Sequence, residues 1–205
     1  YEHKYEYCDL LIAGTGPSGL ASAYAAAQNG AKVILAEDKS RFGGSLLTSE
    51  VTIGNQSGQE WAEKIISELK SMPNVIIKNR SQVFGYYDHN MLVMSERVSD
   101  HLPKTDKYTP KQRLWYIRAK EVVISSGSIE RPLVFGNNDA PGVMLSSAAK
   151  EYLKVYGVLV GKKPIIFTNN DSGYETAIEF KKNGVDPFVL DTRKDTNSEI
   201  IKESK

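Results

Sequence analysis

Residues 11–23 read LIAGTGPSGLASA and set Gly14, Gly16 and Gly19 at the spacing G-x-G-x-x-G. Residues of this type at this spacing handle phosphate. Gly14 permits a tight turn, Gly16 lets the backbone approach a pyrophosphate, and Gly19 lets a helix pack close to a strand. A helix that opens at Pro17 and Ser18 turns its first amides, and the positive end of its dipole, toward an anion. The string is a weak signal alone, so its surroundings must decide. CDLLIA (8–13) is a short apolar run suited to a strand buried on both faces, and Leu20–Ala27 is a small-residue helix that stops near Gly30. KVILAE (32–37) is a second buried strand, and it ends on Glu37, 18 residues after Gly19. Strand, glycine turn, helix, strand and acid form the full dinucleotide fingerprint. Glu37 is placed to accept hydrogen bonds from an adenosine ribose. A carboxylate there repels a 2′-phosphate, which favours NAD or FAD over NADP, while Lys39 and Arg41 act slightly the other way. Plain close packing explains the alanines of the helix but not an acid at the strand end.

Further along, RFGGSLL (41–47) places Gly44 and Ser45 where the chain must pass the nucleotide. KEVVISSGSIERP (120–132) is an apolar strand followed by a small-residue turn at Gly127, which suits either close approach to a cofactor or tight sheet packing. The other chemically active residue types do not assemble into a site. His3, His89 and His101 lack metal-ligand spacing, and His89 beside Asp88 falls in an expected hairpin turn. The single cysteine, Cys8, opens an apolar strand and reads as a buried, inert thiol; alone it forms neither an internal disulfide nor a C-x-x-C pair. No catalytic residue and no metal ligand is assigned.

These residues need a scaffold to hold them. Ser57-Gly58-Gln59-Glu60 has capping-box spacing and opens a helix with Trp61, Ile65, Ile66, Leu69 and Met72 on its apolar face, ended by Pro73. NVIIK (74–78) reads as the third parallel strand. Residues 81–98 read as a hairpin turning at Asp88-His89-Asn90, QRLWYIRA (112–119) as a third antiparallel strand, and Asp100–Pro110 as a polar loop. Such an excursion places the backbone of Val83 near an adenine ring. IIFTNNDSGYETAIEF (165–180) then repeats the strand–turn–helix grammar, with Gly173 and Asp191 at the spacing of Gly19 and Glu37. Thr168 and Asn170 occupy its first two glycine positions and Asp171 follows, so a pyrophosphate would be crowded and repelled.

The expected fold is α/β: a Rossmann-like dinucleotide-binding domain of the two-dinucleotide-domain flavoprotein type with a three-stranded antiparallel excursion, plus the start of a second Rossmann-like domain. The first domain spans 1–160 and lacks its late C-terminal segment; the second, 161–205, is truncated and has a degenerate glycine loop. With 26 Lys+Arg against 25 Asp+Glu, no charge bias favours nucleic acid or an anionic membrane. No apolar run approaches a membrane span, and a cytoplasmic address is expected. The N-terminus, YEHKYEYCD, has neither an initiator Met nor a signal-type apolar stretch, as in a piece of a longer chain.

The strings CDLLIAGTGPSGLASA, FGGSLL, MPNV, VFGYYDHN, RLWYIRAKEVV, IERPLVF, NDAPGVML and FTNNDS run in order along the chain. With them, the stretch from about Tyr1 to Arg193 resembles the central part of α subunits of heterotetrameric sarcosine oxidase. The resemblance implies oxidative demethylation of sarcosine to glycine, with hydrogen peroxide formed and the one-carbon unit passed to tetrahydrofolate as methylene-tetrahydrofolate. It implies β, γ and δ partner subunits, an FAD in the β subunit, a covalent FMN at the α/β contact, and a folate-binding C-terminal domain beyond this chain. It further implies NAD in the first motif, without evident turnover, contacted by Ser18, Glu37, Asp38, Lys39, Ser45 and Val83. The residues themselves leave open an independent FAD- or NAD-linked oxidoreductase, an α subunit of a related amino-acid or opine dehydrogenase, and a non-catalytic interaction module.

Overall fold

The computed structural model describes residues 2–194 and 198–204, and packing divides the chain at Gly127/Ser128 into two units. In the first unit, strand β1 (Glu2–Ala13) feeds the glycine loop, helix α1 (Pro17–Gln28) and strand β2 (Val33–Ala36). A 3-10 turn (Gly44–Leu47), a small hairpin of β3 (Thr52–Ile53) and β4 (Gln56–Ser57), helix α2 (Gly58–Ser71) and β5 (Val75–Lys78) follow. The hairpin β6 (Ser81–Tyr87) and β7 (Met91–Arg97) and the long strand β8 (Gln112–Ile124) complete the unit. One sheet runs in the order β5-β2-β1-β8-β7-β6. It is parallel from β5 to β8 and antiparallel from β8 to β6.

Local chemistry sets the helix boundaries. The Ser57 hydroxyl accepts the Glu60 N–H at 3.2 Å, and the Glu60 carboxylate accepts the Ser57 N–H at 2.9 Å. This reciprocal box starts α2. Gly30, at φ +82, takes the chain out of α1 where other residues would be strained.

Two strands run longer than their apolar runs suggest. β1 begins at Glu2 rather than Cys8, and β8 joins the expected strands 112–119 and 120–124 into one. The cause is mutual. The register from Glu2↔Arg113 to Ala13↔Ile124 pairs the polar half of β1 with the first half of β8, so backbone pairing supplies what burial does not.

The long strands let the sheet fold over itself. On one face of the parallel part, Ile12, Val33 and Leu35 pack with Leu20, Ala23 and Ala27 of α1 and Ile65, Ile66 and Leu69 of α2. On the other face, Cys8, Leu11, Ile34 and Ala36 pack with Leu92, Met94, Ile117 and Ala119. The antiparallel excursion thus covers the face that helices cover in a plain doubly wound sheet. Closure is visible at the edges: Ser81 N–H, at the start of β6, donates to the Glu37 carbonyl just past β2 at 2.7 Å. Lys78 of β5 pairs with Glu96 of β7 at 3.1 Å, although these strands lie toward opposite ends of the sheet order.

The second unit contains α3 (Ser146–Tyr156), β9 (Ile165–Thr168), α4 (Ser172–Lys182), β10 (Phe188–Asp191) and α5 (Glu199–Glu203). β9 and β10 pair in parallel, and Ala149, Leu153, Ile166, Ala177 and Phe180 form its core. No helix among the described residues is long and apolar enough to cross a membrane.

Candidate nucleotide-binding site

The three motif glycines meet three different environments. Gly14 has φ +105, and a Cβ there would lie 2.4 Å from the Ser125 carbonyl oxygen. A Cβ on Gly19 would lie 2.0 Å from the Gly14 carbonyl oxygen and 2.6 Å from Ser125 Oγ. Both glycines are therefore required by the fold itself. Gly16 differs: nothing lies within 4 Å of the position its Cβ would take. That open space faces the start of α1, where Gly16 is the N-cap, Pro17 opens the helix, and no side chain caps the end. The capping box of α2 shows what a satisfied helix start looks like in the same unit. An uncapped start beside open space fits the phosphate of a dinucleotide.

The loop is pinned from below and crossed from above. Ser125, just past β8, donates its hydroxyl to the carbonyls of Ala13 at 3.0 Å and Gly14 at 2.9 Å. The glycine pair passes over the motif: Gly44 has φ +54, and a Cβ there would lie 2.9 Å from Gly16 Cα. Gly43 has φ +122, and its N–H donates to Thr15 Oγ1 at 3.2 Å.

Glu37 is 5 % exposed at the end of β2. Its Oε2 accepts the Thr15 N–H at 3.1 Å and the Thr15 hydroxyl, and its Oε1 accepts the Lys39 N–H at 3.1 Å. Burial, followed by the hydrogen-bonded Asp38 carboxyl, raises its pKa; the Thr15 and Lys39 donors pull the other way. A carboxylate has about four lone-pair sites, and the two Thr15 donors and the Lys39 N–H share them with the Asp38 carboxyl, which a ribose hydroxyl would displace.

Gly14, Gly16, Gly19, Glu37 and Gly44 therefore converge with Thr15 and Ser125. Pro17, Ser18, Asp38, Lys39 and Ser45 lie exposed around this nucleus. Val83 is half-buried on β6, two residues beyond the Ser81 that bonds Glu37. Gly127 stands apart, with φ +71 and nothing within 4 Å of a Cβ built there. Thr15 is the residue that reading the motif passes over, because it occupies a variable position. A hydroxyl residue there, paired with an acid ending the next strand, is the signal that identifies it.

The second motif is closed by its own side chains. Asn170 Oδ1 accepts the Ser172 N–H at 3.0 Å and the Ser172 hydroxyl at 2.6 Å. A Cβ on Gly173 would lie 2.7 Å from Thr168 Cβ, so the third glycine keeps its packing role. Asp191, the counterpart of Glu37, accepts Arg193 Nη2 at 2.7 Å and the Tyr174 hydroxyl at 3.0 Å. Arg193 hydrogen bonding holds its carboxyl down at about 2.

Among the described residues, no other cluster of titratable or metal-ligating side chains forms a site. Cys8 is fully buried, and burial pushes its thiol up to about 12. His89 sits exposed in the hairpin turn at φ +59. No group of His, Cys, Asp or Glu among the described residues could hold a metal.

Residues 9–97 match the family described as FAD dependent oxidoreductase. Across 94% of its length the chain is 45% identical to a sarcosine oxidase subunit alpha of Rhizobium meliloti (strain 1021). Across a further 94% alignment it is 36% identical to a sarcosine oxidase subunit alpha of Corynebacterium sp. (strain P-1). The chain spans 20% of each of these relatives, about a fifth of their length. Among solved structures, it is similar to L-proline dehydrogenase from P. horikoshii, with TM-score 0.76 and 24% identity over 97% of this chain and 38% of that one. That likeness is one of fold: a Rossmann-like α/β domain of the two-dinucleotide-binding flavoprotein type.

Proposed function

From a chain that is homologous to sarcosine oxidase α subunits along nearly its whole length, we propose that it is the nucleotide-binding portion of such a subunit. The subunit works in a complex with β, γ and δ partners that demethylates sarcosine oxidatively to glycine, forming peroxide and methylene-tetrahydrofolate. The observation that carries this reading is an intact first motif, with open space at Gly16 and a buried acid ending β2, inside a chain 45% identical to such a subunit.

In this reading the first motif holds NAD. The amides at the start of α1 and the bare backbone at Gly16 take the pyrophosphate, Glu37 takes the adenosine ribose, and Ser18, Asp38, Lys39, Ser45 and Val83 surround it. A nicotinamide or flavin dinucleotide supplies two-electron redox chemistry when bound. The residues here hold and orient a nucleotide; the loop gathers no redox cysteine, and its one buried carboxylate, oriented by Thr15 and Lys39, serves the ribose. The amine oxidation therefore belongs to flavin, FAD and FMN, on or beside a partner subunit, and folate to a further domain. The functional division at 160/161, which counts 128–160 with the first nucleotide domain, and a cytoplasmic address are part of the same proposal.

A second reading, FAD in the first motif, is favoured by the match of residues 9–97 to a family of FAD dependent oxidoreductases. Loop physics accepts either cofactor, since both present the same adenosine diphosphate. Release of nucleotide from the full-length subunit, purified with its partners, separates the two: NAD supports the first reading, and yellow FAD from this subunit supports the second. Sarcosine-dependent peroxide formation by the complex tests the activity, and absence of turnover with any N-methyl amine overturns it.

A further inference from the structure

Thr15 has no side-chain role in the phosphate-binding logic of the motif, yet it is fully buried and both its N–H and its hydroxyl are hydrogen-bonded. Its backbone N–H and its hydroxyl both go to Glu37 Oε2, and its Oγ1 accepts the Gly43 N–H at 3.2 Å. The direction of this chain is fixed by chemistry. A backbone N–H only donates, so Oγ1 accepts from Gly43 and the single hydroxyl proton points to Glu37. Oε2 is thereby kept as an acceptor and held toward the loop, while Oε1 accepts the Lys39 N–H. Besides the Thr15 hydroxyl, two backbone N–H groups, those of Thr15 and Lys39, hold the Glu37 carboxylate. The same hydroxyl ties down the glycine pair, whose second member lies against Gly16.

We propose that Thr15 is a positioning residue for nucleotide selectivity: it orients the Glu37 carboxylate toward the adenosine ribose and latches the 43–44 glycine pair beside the phosphate site. The inference rests on the reading of the first motif as a dinucleotide site. Replacing the hydroxyl with a methyl group leaves the carboxylate held only by the Thr15 and Lys39 N–H groups and loosens its orientation, so ribose discrimination falls more than affinity does.

The test uses the full-length subunit in its complex, stripped of nucleotide, and titrated calorimetrically with ADP-ribose and 2′-phospho-ADP-ribose. Wild type is expected to prefer ADP-ribose. Thr15→Val is expected to lower that preference about ten-fold, the size of one charge-assisted hydrogen bond, and Thr15→Ser to restore it. If Thr15→Val does not fold, Thr15→Ala carries the same comparison. A role confined to packing lowers both affinities alike, so an unchanged ratio in a folded variant with weakened binding overturns the assignment of Thr15 alone. A ratio that Thr15→Ser fails to restore also overturns it. Wild type that binds neither probe overturns the nucleotide reading of the motif, and this inference with it.

Discussion

At the scale of the residue, the three glycines of the loop separate folding from binding. Gly14 and Gly19 have no room for a side chain, and Gly14 also needs φ +105. Gly14→Ala is therefore expected to destabilise the protein by about 2 kcal/mol or more, from backbone strain and a carbonyl clash. Gly16→Ala meets nothing within 4 Å at an ordinary φ of −64, so its stability should stay within about 0.5 kcal/mol of wild type. Its loss should appear only in nucleotide affinity. Thermal unfolding beside nucleotide titration checks the pair, and a Gly16→Ala protein that binds as wild type would move the pyrophosphate elsewhere. Glu37 gives a second prediction. Burial raises its pKa, so it takes up a proton at a higher pH than an ordinary glutamate. The sign for folding follows: its contribution to stability is full at low pH and is lost as pH rises through the raised value. Binding runs the opposite way, because the ribose hydroxyls need an ionised acceptor. Affinity should fall as pH drops from neutrality toward the carboxylate range, and the dependence should flatten in Glu37→Gln, which itself costs about 1.5–3 kcal/mol of binding.

At the scale of the element, the carboxylate of Glu96 joins strands that the sheet order sets apart. It accepts Trp115 Nε1 at 2.6 Å and Arg113 Nη1 at 3.1 Å from β8, and Lys78 Nζ at 3.1 Å from β5. Arg113 in turn bonds Glu2 of β1 at 2.7 Å. Glu96→Ala leaves a half-buried indole N–H and the Lys78 ammonium without their acceptor and Arg113 with Glu2 alone, and is expected to cost about 2–3 kcal/mol. Ser57→Ala, which removes only a cap at an exposed helix start, should cost about 1 kcal/mol. Denaturant unfolding ranks the two, and an Ser57→Ala loss larger than that of Glu96→Ala would contradict the seam's role. This seam also marks what could be read in advance. The capping box, the end of α1, the buried strands and the hairpin are local signals, each complete within a few residues. The extension of β1 to Glu2, the fusion of β8 and the folding of the sheet over Cys8 and Leu11 depend on pairing between residues about a hundred positions apart, which no local pattern encodes. The site divides in the same way. The glycines and Glu37 announce themselves by spacing, whereas Thr15 acquires a role only when β2 brings Glu37 alongside it.

At the scale of the whole molecule, one supersecondary unit occurs twice, and side-chain chemistry sends the two copies in opposite directions. Both have a strand, a turn, a helix and a second parallel strand ending on an acid, and both keep the third glycine for packing. In the first copy the helix start is uncapped, the second glycine position faces open space, and the acid's bond to the Asp38 carboxyl is one that a ribose hydroxyl would displace. In the second, Asn170 bonds the helix start, and Asp191 is occupied by Arg193 and Tyr174. Arg193 Nη2 also reaches Asp171 at 2.8 Å, so the cation is shared between two carboxylates inside the loop. A dinucleotide entering there would have to break these bonds and set its pyrophosphate against Asp171, at a cost of several bonds for no new cation. One nucleotide equivalent is therefore expected from these two motifs. In the full-length subunit, Gly16→Ala should remove that equivalent, while Asn170→Ala should leave it in place, as counted by mass spectrometry of released nucleotide. Retention in Gly16→Ala together with loss in Asn170→Ala would reverse the assignment and make the second loop the binding site.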